Sequence, residues 1–162
     1  MTRPPDTNQM QPDHAPTPYS AAEIRHACRP GRRNTYRIEA NAEDPYLMAT
    51  EWVRGGDSSG EARFTKLGID GVMTAGPGQT EMAWDDLQAQ ASYPADLATI
   101  EETTVQTAAG TFDAWLYTVE RNGLVEKAWF ATHLPGPPVL KIDERDGQVE
   151  SRMELVELDR SE

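Results

Sequence analysis

The chain has 162 residues, of which 38% are hydrophobic, and its formal net charge is −12. This length can bury the core of one domain without disulfides or metals. Residues 1–37 carry six Arg and three acidic residues (+3), whereas residues 38–162 carry nine Lys or Arg and 24 acidic residues (−15). Because most of the surface repels nucleic acid and anionic membranes, we expect neither as a partner.

Cysteine content and hydropathy bear on location. Cys28 is the only cysteine, so an intramolecular disulfide is impossible and a buried, inert thiol is expected. No apolar run approaches the roughly 18–20 residues of a membrane helix. Residues 1–18 also lack the apolar stretch of a secretory signal. We therefore expect a cytoplasmic protein without membrane insertion.

The first 18 residues differ from the rest in composition. They contain five of the twelve prolines and few apolar side chains. Such a segment cannot offset the entropy of ordering by burying apolar surface. The composition predicts a disordered Pro-rich tail over residues 1–18 and a single α+β domain over residues 19–162.

Two short helices are predicted. Ser20 and Glu23 have the spacing of a capping box, and Pro30 and Gly31 end the pattern, which indicates a helix over about residues 20–29. A second helix is predicted over residues 84–92, where two aspartates in the first turn complement the helix dipole.

From Asn34 onward, short β-type runs alternate with turn residues, which is typical of an antiparallel meander. Asn-Gly and Asp-Gly pairs tolerate the positive φ angles of tight hairpins. The turn at Asn122-Gly123 is therefore a predicted hairpin. The nine runs are TYRIEAN, LMATEWVR, ARFTKLGI, GVMTAG, ATIEETTVQT, TFDAWLYTVE, LVEKAWFATH, VLKIDER and QVESRMELVEL.

The strand that follows Gly110 carries bulky side chains on both faces. Its alternating sets are Phe112, Ala114, Leu116 and Thr118 on one side, and Asp113, Trp115, Tyr117 and Val119 on the other. A sheet covered on both faces explains this pattern. We expect a highly curved antiparallel sheet, or half-barrel, packed on the N-terminal helix and on one short inserted helix. Its convex side would be covered by loops or by another protomer.

Catalytic and metal-binding patterns are not found. His26 and Cys28 lie about 200° apart around a helix, so they cannot hold one ion together. No nucleophile elbow is present. We predict no catalytic residue, no metal and no cofactor. An enzyme would need polar groups to converge, and the candidates for such a set are Arg37, Asp113, Tyr117 and His133.

An arginine-rich stretch precedes and enters the first strand. Its members are Arg25, Arg29, Arg32, Arg33 and Arg37. They are sufficient to bind a phosphate or a carboxylate through charge-assisted hydrogen bonds. Salt bridges to the acidic sheet are the simpler interpretation, and both stay open at the level of the sequence.

The segment THLPGPPVLKID, residues 132–143, joins two predicted strands. Proline donates no ladder hydrogen bond, so the segment predicts a stiff crossover at the rim of the sheet. If the concave side binds a ligand, this loop and His133 would line the opening. The candidate ligand-binding residues are Trp115, Tyr117, Trp129, His133, Gly136 and Arg37.

The C-terminal half resembles the closing strands of small bacterial domain-of-unknown-function proteins that form a curved β half-barrel, distantly like lipoprotein carriers. The resemblance rests on Gly110, Phe112, Trp115, Tyr117, Trp129, Phe130, Ala131 and Gly136. It implies a sheet wrapped around helices, with an apolar concavity that holds acyl chains in the carriers. The sequence departs from secreted members because it lacks a lipobox cysteine.

The sequence therefore predicts a non-catalytic binding or structural module that holds a small hydrophobic ligand in the sheet concavity. The alternative is a protein-interaction or homo-oligomerisation module without a pocket, in which the second apolar face is an interface. An enzyme of unknown type is the third interpretation.

Overall fold

The computed structural model describes residues 3–159, which form a nine-stranded sheet, two α-helices and one 3-10 turn. The strands are β1 (Arg33–Ala40), β2 (Glu43–Gly55), β3 (Ser59–Leu67), β4 (Met73–Ala83), β5 (Ala98–Thr107), β6 (Gly110–Arg121), β7 (Leu124–Ala131), β8 (Leu140–Arg145) and β9 (Gln148–Asp159). The helices are α1 (Ala21–Ala27) and α2 (Trp84–Ala89), and the 3-10 turn is Asp6–Asn8.

The strand order is β4-β3-β2-β1-β9-β8-β7-β6-β5, and all neighbouring strands are antiparallel. Two meanders, β1 to β4 and β5 to β9, thus join where β1 pairs with β9. The sheet is open, with β4 at one edge and β5 at the other. This architecture confirms the α+β fold with a curved antiparallel sheet, and each of the nine predicted runs overlaps one strand.

Local sequence signals explain the helix start and two turns. The Ser20 hydroxyl accepts from the Glu23 amide while the Glu23 carboxylate accepts from the Ser20 amide, so the capping box is formed. Asn122 and Gly123 both have positive φ, at 52° and 80°, as a type I′ hairpin turn requires. The predicted hairpin at this turn is confirmed.

Strand β4 extends further than its sequence indicates. The predicted run ended at Gly76, but the strand continues through Pro77 to Ala83. Proline cannot donate to a ladder, yet an edge strand has one side on which no donor is needed. Because β4 pairs only with β3, the proline is tolerated there.

Buried side chains form two cores. The first core consists of Tyr19, Ile24, Cys28, Trp52, Ala62, Trp84, Ala91, Tyr117, Ala128 and Phe130. The second core consists of Tyr36, Val105, Ala114, Ala131, Leu134, Val139, Leu140 and Leu155. Hairpin β6–β7 contributes to both, since Trp115 packs against the first core and Trp129 against the second. The bulky residues on its two faces are therefore covered on both sides.

Residues 3–18, for which composition predicts a disordered tail, pack against the domain instead. Asn8 is only 3% exposed, and its amide donates to the Thr17 carbonyl at 2.9 Å. The Gln88 amide of α2 donates to the Thr17 hydroxyl at 3.0 Å. The segment buries Ala15 and three of its prolines, and hydrogen bonds from its polar groups add to this packing. The domain boundary at residue 19 stays a prediction.

Within residues 3–159, neither helix has the length and apolar character needed to cross a membrane.

Candidate ligand-binding cleft

The helix-covered face of the sheet is filled by the protein's own aromatic side chains. Tyr117 and Phe130 pack edge to face, with ring centroids 5.3 Å apart. Trp84 of α2 packs against Trp52 of β2, with centroids 5.2 Å apart. Tyr19 donates from its hydroxyl to the Ala131 carbonyl. The space in which the sequence placed a hydrophobic ligand is thus largely occupied.

Three of the predicted ligand-binding residues are aromatic, and the structure does not bring all three together. Tyr117 is 1% exposed, donates to the Pro16 carbonyl at 2.6 Å, and has its pKa raised by burial. Trp115 packs against Tyr19, with centroids 6.4 Å apart. Trp129 packs against the second core, on the other face of the hairpin.

Arg37 also lies apart from these aromatic residues. It forms a surface ion pair with Glu39 at 3.0 Å. Its strand β1 is four strands from β6 in the sheet order, which corresponds to about 19 Å along the sheet. The predicted polar set of Arg37, Asp113, Tyr117 and His133 therefore does not converge on one point.

An open cleft lies between α1 and the loop that joins β7 to β8, residues 132–139. Its volume is about 530 Å³. Two parts of the sequence prediction meet here, because His133 lines the cleft and Gly136 lies against Arg32, another lining residue. The lining residues are Ala22, Glu23, His26, Ala27, Arg29, Arg32, His133, Leu134 and Pro135.

Arg32 holds the β7–β8 loop in place. Its Nη1 donates to the Pro135 carbonyl at 2.7 Å and to the Ala27 carbonyl at 3.3 Å, so one guanidinium joins the loop to α1. Gly136 has a φ of 140°, and a Cβ there would lie 3.1 Å from Nη2 of Arg32. The backbone angle and the close approach both favour glycine at this position.

The arginine-rich stretch divides into two groups. Arg25 pairs with Asp57 at 2.8 Å and Arg37 with Glu39, both at the surface. Arg32 is 4% exposed and, among residues 3–159, has no carboxylate within 4 Å. The salt-bridge interpretation thus describes two of the five arginines, because within residues 3–159 the buried Arg32 forms no salt bridge, and neither do Arg29 and Arg33.

Cys28 follows α1 and belongs to the first core. Burial raises the pKa of its thiol to about 11, although the Arg32 charge acts in the opposite direction. The thiol is therefore protonated at neutral pH, and it is a poor nucleophile in this form. Among the described residues, no group of three His, Cys, Asp or Glu side chains has the arrangement of a metal site.

A second cavity, of about 610 Å³, lies between residues 3–16 and the start of β5. Arg3 and Asp6 both line it, so charges of opposite sign are present there. The sequence did not indicate this cavity, because several of its lining residues lie in residues 3–16, where composition predicts a disordered tail.

The sequence also missed most of the first cleft. His133 was found because a proline-rich loop marked the rim of the sheet. The α1 residues His26 and Ala27 carried no comparable signal, and Arg32 was one of five similar arginines. Its burial depends on the loop that covers it, which is about 100 residues away in the chain.

Comparison with known proteins gives a fold but no family. No protein-family model matches the chain, and no curated protein matches it. A crystal structure of MucB in complex with MucA(peri) matches with a TM-score of 0.58 and 14% identity, covering 87% of this chain and 54% of that chain. A crystal structure of MucB matches with a TM-score of 0.57 and 12% identity, covering 87% and 57%.

The chain therefore spans about half the length of the MucB chains that it matches. At this identity the likeness shows a shared fold. It agrees with the distant half-barrel resemblance at the level of architecture.

Proposed function

We propose that the protein is a non-catalytic binding module that holds a small ligand with an apolar part in the cleft between α1 and the β7–β8 loop. The carrying observation is that the helix-covered face is filled, whereas this cleft stays open with about 530 Å³. Ligand pockets in proteins start at about 300 Å³. The proposal moves the expected ligand from the sheet concavity to its rim.

The lining of the cleft supports this proposal. Ala22, Ala27 and Leu134 supply apolar surface, while His26 and His133 add groups that can form hydrogen bonds. A mainly apolar wall with a few polar groups is typical of small-molecule sites.

Replacement of Gly136 tests the role of the loop. We expect Gly136→Val to reduce ligand retention more than it lowers Tm, since the new side chain presses on Arg32 at the cleft wall. Native mass spectrometry of protein purified from its host measures retention, and calorimetry measures Tm.

Gly110→Val is the matched control. Gly110 has a similar φ of 146°, but nothing lies within 4 Å of the position of its Cβ. The control therefore carries similar backbone strain without the contact with Arg32. If both variants lose retention and Tm in the same proportion, the β7–β8 loop is only structural and the proposal fails.

A protein-interaction module is the second candidate, and hairpin β3–β4 favours it. Strand β4 is an edge, and Ile69, Val72 and Met73 are exposed near the hairpin turn. An open edge can accept a strand from a partner or from a second copy. One matching structure is a complex of MucB with MucA(peri), which supports interaction as a use of this fold.

The cytoplasmic location stays a prediction, which cell fractionation checks.

A further inference from the structure

Arg32 is the one side chain of the cleft that is both charged and buried. The residue is 4% exposed. Its Nη1 donates hydrogen bonds to the Ala27 and Pro135 carbonyls and lies 3.7 Å from the Cys28 sulfur. Its Nε donates to the Asn34 side-chain oxygen at 3.3 Å. All of these partners are neutral, so the guanidinium charge is solvated by dipoles but not compensated.

The Nη2 group of Arg32 is still available. A guanidinium carries five N–H donors, and two of them are on Nη2. Within residues 3–159, Nη2 has no hydrogen-bond partner. Buried charges in proteins are normally paired, because an uncompensated charge in a medium of low dielectric constant is costly. An oxyanion in the cleft would compensate this charge.

A second arginine, Arg29, adds positive charge to the cleft. Arg29 and two histidines, His26 and His133, line it together with a single carboxylate, Glu23. The Glu23 carboxylate accepts from the Ser20 amide in the capping box and keeps its negative charge. With the histidines counted as neutral, two arginines and one glutamate give the lining a formal charge of +1, in a protein of net charge −12.

We propose that this cleft is an oxyanion site, in which Arg32 binds the carboxylate or phosphate group of a small amphipathic ligand. This inference rests on the proposed function, since it assumes that the cleft is the binding site. Ala22, Ala27 and Leu134 contact the apolar part of the ligand. The acidic surface elsewhere disfavours a polyanion, so a single anionic group is the matching chemistry.

Isothermal titration with three probes that share one alkyl chain tests the inference. Octanoate and octyl phosphate carry an anion, and octanol is the neutral counterpart. We expect at least one anion to bind about tenfold or more tightly than octanol, as charge-assisted hydrogen bonds allow. The stronger of the two anions identifies the head group as carboxylate or phosphate.

Arginine variants assign the preference to a side chain. Arg32→Gln should remove the preference for an anion over octanol. Because Arg32 also holds the β7–β8 loop, circular dichroism checks that this variant is folded. If it does not fold, Arg29→Gln replaces it, with an expected loss of about threefold in anion binding, as for an exposed charge.

Arg25→Gln is the matched control, since it removes the same charge from α1, the helix that borders the cleft. Arg25 pairs with Asp57 and does not line the cleft. We expect this variant to bind the anions as the unmodified protein does.

The outcomes separate the two proposals. If no probe binds, the cleft is not a ligand site and the proposed function fails together with this inference. If octanol binds as tightly as the anions, the cleft is a ligand site but the oxyanion inference is overturned. The inference also fails if a folded Arg32→Gln protein keeps the preference, or if Arg25→Gln weakens anion binding as much as Arg29→Gln does.

Discussion

Hairpins β6–β7 and β3–β4 are both antiparallel, yet they differ in what covers them. The first contributes to two cores and holds Tyr117 at 1% exposure. The second ends in an exposed apolar turn, where Val72 is 62% exposed, and β4 is exposed over most of its length. Pairing of strands alone does not bury a hairpin. Burial depends on the helices and on residues 3–18, which pack near β6–β7.

The largest expected effect concerns the covered hairpin. Tyr117→Ala should lower the free energy of unfolding by about 3–5 kcal/mol, because it leaves a large cavity in the first core. It also removes the hydrogen bond to Pro16. Tyr46→Ala is the control, because this ring is partly exposed and its described ring contact is with the Lys66 ammonium. We expect this variant to lower the free energy of unfolding by about 1 kcal/mol. Urea unfolding measures both, and equal losses would contradict the burial of Tyr117 in the first core.

The next effect tests whether residues 3–18 belong to the covered region. Asn8→Ala should lower the free energy of unfolding by about 1–3 kcal/mol, because it leaves the buried Thr17 carbonyl without this donor. Gln11→Ala, at an exposed position of the same segment, should change it little. Urea unfolding again measures both. If neither variant changes the free energy of unfolding, residues 3–18 do not stabilise the domain, as expected for the disordered tail that composition predicts.

Alkaline pH should weaken the first core through Cys28. Its pKa is raised from 9.0 to about 11, so above pH 9 the unfolded chain releases a proton that the folded chain keeps. The free energy of unfolding should therefore fall by about 1 kcal/mol between pH 7 and pH 10. Cys28→Ala should remove this part of the pH dependence, whatever its stability at pH 7. Equal slopes in urea unfolding would show that the thiol is not buried.

The smallest expected effect lies in the exposed hairpin. Val72→Asp should change the free energy of unfolding by less than about 0.5 kcal/mol, since the side chain is mostly in water. If β3–β4 is an interaction surface, the same variant should reduce self-association or partner binding, measured by light scattering and titration. A strong loss of stability would mean that the turn is packed.

Much of this contrast could be predicted from the sequence. The alternating bulk of TFDAWLYTVE indicated a strand covered on both faces, and both cores now include its residues. The capping box at Ser20 and the Asn122-Gly123 turn depend on a few neighbouring residues, so local chemistry was sufficient. Local signals of this kind predicted the elements and the fold class.

The site was less predictable because it depends on long-range contacts. Arg32 is buried by a loop that reaches it through the Pro135 carbonyl, 103 positions away. Tyr117 was a candidate for ligand contact, but its hydroxyl donates a hydrogen bond to the Pro16 carbonyl, 101 positions away. Neither contact has a local signature, so the sequence did not indicate the burial of Arg32 or the hydrogen bond of Tyr117.

The central claim is that the ligand site lies at the rim of the sheet and not beneath its aromatic core. Amide shift mapping by ¹⁵N–¹H NMR during titration with octanoate tests it most directly. We predict that the shifted amides cluster in α1, in Arg32 and in residues 132–136. Shifts concentrated at Trp115, Tyr117 and Phe130 would contradict this claim and would indicate that the ligand binds at the concave face of the sheet.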